Sequence, residues 1–161
     1  MNQKLIYYFG YGANVDADML EAIIGRRPEG KLAKLKSFEL CVQHWHEIEE
    51  KVRNLLAKYW NESFRSYSIR PAESEEVQGI VWEITEQEHK RIGKWELHKL
   101  WYMPTKVFVE SEGRIVEAMT EIINDKSLRT ALEIHGESCP VFLNDKNKML
   151  NTARKERGVL S

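Results

Sequence analysis

Glu96 is the residue of this chain whose neighbours best suit acid–base chemistry. It lies in the segment RIGKWELHKLWYMP, close to Trp95 and Trp101. Apolar surface removes water from a carboxylate, which raises its pKa and lets it accept and donate a proton near neutral pH. An ordinary solvated position near the end of a helix is the alternative interpretation of Glu96.

A second segment with chemical potential is YFGYGAN, near the start of the chain. A strand-like apolar run leads there into a turn formed by Gly10, Tyr11, Gly12, Ala13 and Asn14. A glycine-flanked turn of this kind exposes backbone N–H groups, which can bind an anion or a carboxylate. The segment lacks the third glycine of a dinucleotide-binding turn and the Gly-Lys-Ser/Thr of a phosphate loop. A structural turn without a ligand remains the alternative.

Other side chains that could do chemistry have less support. His44 and His46 could face one side of a strand, but no third ligand stands near them in sequence, so no metal site is predicted. Cys139 precedes a proline, and no local motif marks it as a nucleophile.

Length and charge limit the classes of function. The 161 residues suit a single domain spanning 1–161. With 24 basic and 25 acidic residues, the net charge of −1 gives no electrostatic footprint for nucleic acid or for an anionic membrane. The apolar runs are too short to span a bilayer, and the N-terminus does not read as a signal peptide. Cys41 and Cys139 are expected to be reduced thiols in a cytoplasmic protein.

The elements that must position these residues follow from periodicity and from capping signals. Strands are predicted at 4–10, 32–42, 66–70, 77–84, 102–110 and 114–123, with a polar loop between the third and the fourth. Gly79, inside the fourth, indicates a bulge or a close backbone approach.

Helices are predicted at 17–24, 47–59, 86–97 and 145–157, with another helical turn at 127–134. Asp16 and Gly25 bound the first, Thr85 and Glu88 form a capping box for the third, and Gly158 ends the last. We therefore expect an α+β fold with a mixed, partly barrel-like sheet of about six strands and three or four peripheral helices. The apolar stripe of the 47–59 helix could pack on a second copy as a homodimer.

Several segments, taken in order, resemble the γ-glutamylcyclotransferase-like family, which includes AIG2-like proteins and γ-glutamylamine cyclotransferases. YFGYGANV is similar to its aromatic-Tyr-Gly-Ser-Asn-Leu opening, and GRRPEGKLAKLKSFEL to its Gly…Pro…Ala-x-Leu segment. VQGIVWEI resembles its Val-x-Gly-x-aromatic-Glu strand, and the helix after it resembles its Leu-Asp-x-x-Glu helix end. YMPTKVFVE resembles its Tyr-led strand, and PVFLNDKNKMLNTARKERGVL its closing helix. The match covers most of the chain, and the helix near 47–59 is an insertion.

The resemblance implies cleavage of a γ-glutamyl amide to 5-oxoproline by attack of the substrate's own α-amine. It assigns Glu96 as general acid/base, the turn Gly10–Asn14 to substrate binding, and Tyr102 as a further substrate-binding residue. It implies a small-molecule γ-glutamyl substrate and no metal or organic cofactor.

The sequence also departs from the family pattern. Ala13 stands where serine is common, Val15 where leucine is, and Ile92 and Gly93 where Leu-Asp is usual. Two alternative functions remain: a non-catalytic module of the same fold that binds a small ligand or a peptide, and an amidohydrolase that uses water in place of the amine.

Overall fold

A computed structural model describes residues 4–123 and 140–160. For residues 158–160 it describes the backbone only. Within the described residues, five strands form a closed barrel, and four α-helices lie outside it. The strands are β1 (Leu5–Gly10), β2 (Glu29–His44), β3 (Arg65–Thr85), β4 (Tyr102–Ser111) and β5 (Arg114–Ile123). The helices are α1 (Ala17–Ile24), α2 (Glu50–Leu56), α3 (Glu86–Trp95) and α4 (Lys146–Leu160), and short 3-10 turns span Ala13–Val15 and Trp45–Glu47. The predicted helical turn at 127–134 lies outside the described residues.

The barrel has the strand order β1-β3-β2-β4-β5 and closes through a parallel contact between β1 and β5, where Tyr8 pairs with Met119. The other four strand pairs are antiparallel. The sheet is therefore mixed, as predicted, and it is a complete barrel.

Apolar residues form two cores on opposite sides of the barrel wall. One cluster, with Phe9, Ile69 and Val109 at its centre, contains residues of β1 to β5 only. The other joins residues of β1 and β3, such as Tyr8 and Trp82, to the apolar faces of α1, α3 and α4. Successive strand residues alternate between the two sides, so β1 contributes Tyr8 to one core and Phe9 to the other.

The first helix begins and ends on the predicted capping signals, and the third begins on its predicted signal. The Asp16 side chain accepts a hydrogen bond from Met19 N–H, and Gly25 ends α1 in the left-handed conformation. Thr85 and Glu88 form the predicted capping box of α3. These caps satisfy N–H groups that have no partner within the helix.

Three predicted boundaries are wrong. Residues 66–70 and 77–84 belong to one strand, β3, because the polar segment between them also pairs with β2, and residues 72–75 bulge opposite Ser37. The sheet thus has five strands instead of about six. Helix α2 is shorter than 47–59 because the chain is extended at Ile48 and Glu49. Helix α4 continues through Gly158, since a glycine inside a helix costs only about 1 kcal/mol.

Gly79 shows the close backbone approach that its position in a strand indicates. A Cβ added there would lie 2.2 Å from the carbonyl oxygen of Gly10 and 2.8 Å from the ring of Phe9. Real Cβ atoms do not approach other atoms that closely, so the neighbouring strands fit together only around a glycine.

The helices of the described residues include none that is both long enough and apolar enough to cross a bilayer.

Candidate active site

Glu96 lies at the point where helix α3 ends. Its N–H donates to the carbonyl of Ile92, while the next turn places Leu97 and Lys99 at positive φ angles of 52° and 72°. Positive φ is incompatible with continuing an α-helix. The chain therefore reverses direction here and enters β4 at Tyr102.

The carboxyl group of Glu96 is partly buried, and burial raises its pKa from 4.5 to about 7. A hydrogen bond donated by Asn14 Nδ2 to Glu96 Oε1, 3.0 Å long, opposes this by stabilising the ionised form. Since a pKa near 7 populates both protonation states at neutral pH, this carboxyl can both accept and donate a proton.

The N-terminal turn folds back on itself at Gly10. A Cβ on Gly10 would lie 2.3 Å from the carbonyl oxygen of Asn14, so a side chain cannot fit there. Hydrogen bonds from Val15 N–H to Gly12 and from Asp16 N–H to Ala13 close the 3-10 turn. The N–H groups at the start of such a turn have no partner within it.

Asn14 connects the turn to Glu96. Its side chain is 7% exposed, and Nδ2 donates to Tyr8 Oη at 2.8 Å as well as to Glu96. Its carbonyl accepts a hydrogen bond from Trp82 Nε1 at 2.8 Å. With both ends fixed, Asn14 holds Glu96 over the turn.

A second buried acid, Glu121, completes this hydrogen-bonded chain. It is 3% exposed, and Tyr8 Oη donates to its Oε1 at 2.6 Å. Its Oε2 is buried without a hydrogen-bond partner among the described residues. Burial and the nearby charge of Glu96 hold the pKa of Glu121 well above its usual range. A charge on either acid therefore disfavours ionisation of the other.

The local sequence around Glu121 does not mark it as a site residue, for a physical reason. Alternation along β5 puts it on the same face as Glu117, which is exposed and forms an ion pair with Lys106. From the sequence alone, this face of β5 is therefore expected to be exposed to solvent. The pairing of Tyr8 with Met119 places Glu121 on the Tyr8 side of the wall, and this pairing is not visible in either strand alone.

A cavity of about 340 Å³ brings most of the predicted residues together. Its lining includes Glu96, Glu121 and five other residues: Tyr11, Gly12, Ala13, Asn14 and Tyr102. Gly10 lies at the end of β1 and is not part of this lining.

Two tyrosines of the lining are fixed by their own hydroxyl groups. Tyr11 Oη donates to the carbonyl of Glu121 at 2.7 Å. Tyr102 is 3% exposed, and its hydroxyl donates to the carbonyl of Tyr67 and accepts from Ser66. Their rings are thus held as rigid parts of the wall.

The histidine pair lies apart from this site. The rings of His44 and His46 are stacked 6.1 Å apart at the end of β2, away from the cavity lining. Within residues 4–123 and 140–160, no group of three or more potential metal ligands occurs. Cys139 lies outside the described residues.

Solved structures with the same fold include one described as a γ-glutamyl cyclotransferase. The alignment covers 97% of this chain and 82% of that one, with a TM-score of 0.64 and 16% sequence identity. An uncharacterized protein from Homo sapiens matches 76% of this chain and 69% of its own, with a TM-score of 0.61 and 17% identity. An Arabidopsis thaliana protein matches 99% and 89%, with a TM-score of 0.57 and 18% identity.

Neither the protein-family models nor the curated proteins contain a match to this sequence. At the identities of the structural matches, the likeness establishes the fold. The α+β fold predicted from the pattern of strands and helices is confirmed, and the chemistry must be argued from the residues of the cavity.

Proposed function

We propose that this protein cleaves a γ-glutamyl amide by attack of the substrate's α-amine on its own γ-carbonyl carbon, releasing 5-oxoproline and an amine. The observation that carries the proposal is the partly buried carboxyl of Glu96, whose pKa is about 7, held by Asn14 over the N-terminal turn in a shared cavity. The similarity of fold to a γ-glutamyl cyclotransferase supports it.

Glu96 acts as the general base and then as the general acid. An α-ammonium cannot attack, so the ionised Glu96 first takes a proton from it. The freed amine forms a C–N bond to the γ-carbonyl carbon, and the original amide C–N bond breaks as Glu96 returns a proton to the leaving nitrogen. The attacking nitrogen then loses one of its two protons to solvent and keeps the other as the lactam N–H. General acid–base catalysis contributes roughly 10²- to 10⁴-fold to a rate.

The reaction needs little else from the protein, because the nucleophile is already part of the substrate. Intramolecular attack avoids the entropy of bringing two molecules together. The developing oxyanion needs fixed hydrogen-bond donors, and the N–H groups at the start of the 3-10 turn, on Gly12, Ala13 and Asn14, are the candidates. They belong to the backbone, so the alanine at position 13 leaves them in place. The rings of Tyr11 and Tyr102 would form the walls on either side of the glutamyl unit.

Glu96→Gln tests this assignment. The variant is expected to fold and to lower 5-oxoproline release at least about 100-fold, because the amide cannot take the proton. The assay follows 5-oxoproline from a panel of γ-glutamyl amines, γ-glutamyl amino acids and glutathione. Glu117→Gln is the matched control, since Glu117 is an exposed acid outside the cavity lining.

Each possible product distinguishes one mechanism. Undiminished release of 5-oxoproline by Glu96→Gln would remove the proposed role of Glu96. Release of glutamate in place of 5-oxoproline would indicate that water attacks. Binding of panel compounds without turnover by the native protein would identify a non-catalytic module.

A further inference from the structure

The part of the cavity remote from Glu96 has an apolar wall that the proposed chemistry does not use. Ligand sites of about 300–1,000 Å³ hold drug-sized molecules, so a cavity of about 340 Å³ offers more room than one glutamyl unit fills. The additional lining is largely apolar, and its aromatic residues include Tyr59, Trp60, Phe64 and Phe142. The group that leaves with the amine must occupy this space.

Part of this wall lies at the end of α2 and directly after it. Residues 55–60, at the end of α2 and just after it, contribute Leu55 and Trp60 to the lining. Leu55 is 51% exposed, although Val52 of the same helix is fully buried. The Trp60 ring lies 5.1 Å from that of Phe64, which packs in the core. The result is a firm apolar surface that is open on the cavity side.

The charges at this wall oppose a cationic occupant. Lys148 Nζ lies 4.7 Å from the centroid of the Trp60 ring, and Lys58 also lines the cavity. The acid of the wall, Glu156, is already engaged, because it accepts a hydrogen bond from Tyr59 and forms an ion pair of 3.5 Å with Lys58. The ammonium group of a cationic leaving amine would lie near these lysines. It would find no available carboxylate among the described lining residues of this wall.

We propose that this apolar wall selects γ-glutamyl amides whose leaving amine carries a large uncharged apolar chain or ring, with Trp60 as a specificity-determining residue. The proposal rests on the proposed function and names its substrate class. It rejects small amines, which leave the wall uncovered, and diamines, whose distal ammonium lies among lysines.

Three matched substrates test the selection: the γ-glutamyl amides of n-pentylamine, cadaverine and ethylamine. Cadaverine differs from pentylamine by one terminal ammonium, and ethylamine is three methylenes shorter. Each methylene removed from water favours binding by about fourfold. With partial burial, kcat/KM for the pentyl amide is expected to exceed that for the ethyl amide by roughly tenfold or more. It is expected to exceed that for the cadaverine amide by a similar factor, because the ammonium would lose its hydration among like charges.

Substitutions at two positions separate the apolar effect from the charge effect. Trp60→Ala is expected to reduce the pentyl-to-ethyl ratio severalfold, whereas Trp60→Phe, which keeps an aromatic ring, retains most of it. Lys148→Met, at an exposed position, is expected to raise relative turnover of the cadaverine amide about threefold to tenfold by removing one like charge. Lys148→Met also remains informative if Trp60→Ala does not fold.

The outcomes separate this inference from the function on which it rests. Equal kcat/KM for all three amides, with 5-oxoproline released from each, would overturn the selection and leave the cyclisation intact. Preference for the cadaverine amide would likewise overturn it. Absence of 5-oxoproline from every amide would remove both proposals.

Discussion

The raised pKa of Glu96 has a thermodynamic consequence that can be measured without any substrate. In the unfolded chain this carboxyl titrates near 4.5, and in the folded protein near 7. Below pH 4.5 both states bind the proton and stability is unaffected. Between pH 4.5 and 7 the unfolded chain releases it while the folded protein keeps it, so stability falls as pH rises. Above pH 7 the loss is complete.

The size of this loss follows from the difference in pKa. A difference of about 2.5 between 4.5 and 7 corresponds to about 3.4 kcal/mol at most. Glu96 is only partly buried, and water in the cavity screens its charge, so we expect about 2 kcal/mol. Glu96→Gln removes the ionisation, and the variant should be more stable than the native protein at pH 8 by this amount. At pH 5, half a unit above the pKa in the unfolded chain, the difference should fall to below about 1 kcal/mol.

Urea unfolding at pH 5 and pH 8 measures the effect, with Glu117→Gln as the control for replacing an exposed acid. For a protein of this length, 2 kcal/mol corresponds to a shift in melting temperature of roughly 4–8 °C. Glu121→Gln should stabilise in the same direction, because burial raises the pKa of Glu121 as well. The double variant should be non-additive, because the two acids interact. If the native protein and Glu96→Gln show the same change in stability from pH 5 to pH 8, Glu96 does not retain a proton on folding and the base assignment loses its support.

Two further predictions concern the supports of the site. Asn14→Leu removes the hydrogen bond that stabilises ionised Glu96. The rise of kcat/KM with increasing pH should therefore occur about one to two pH units higher. An unchanged pH dependence would show that Asn14 does not set the pKa of the base. Gly79→Ala should lower the free energy of unfolding by about 3 kcal/mol, since its Cβ would meet the backbone of β1. Gly113→Ala, at a φ of 74° with open space around it, should cost only about 1 kcal/mol in urea unfolding, and equal costs would contradict the packing argument.

Local signals in the sequence were sufficient for features that depend on neighbouring residues. The boundaries of α1 follow from Asp16 and Gly25, and the start of α3 from its capping box. Each involves residues within one or two helical turns, so physical chemistry at short range decides it. Even the close contact at Gly79 was indicated by a glycine in an otherwise apolar strand, although its partner in β1 was not identified.

Features that depend on strand pairing could not be obtained in the same way. The segment after Pro71 reads as a polar loop by composition, yet it remains in β3 because β2 supplies partners on either side of its bulge. Closure of the barrel depends on one parallel contact, between Tyr8 and Met119, which are far apart in the chain. No periodicity in either strand specifies that contact.

The same distinction explains why one acid was identified and its companion was not. Glu96 stands among tryptophans in its own segment, so desolvation is visible locally, and the family resemblance points to the same residue. Glu121 acquires its environment only when β5 meets β1 and the Tyr8 hydroxyl reaches its carboxyl. The two acids share a hydrogen-bonded chain through Tyr8 and Asn14, and the charge of Glu96 raises the pKa of Glu121. The closing of the barrel therefore does more than hold the cavity open: it joins the proposed base to a second buried acid, so that a proton on one favours a charge on the other.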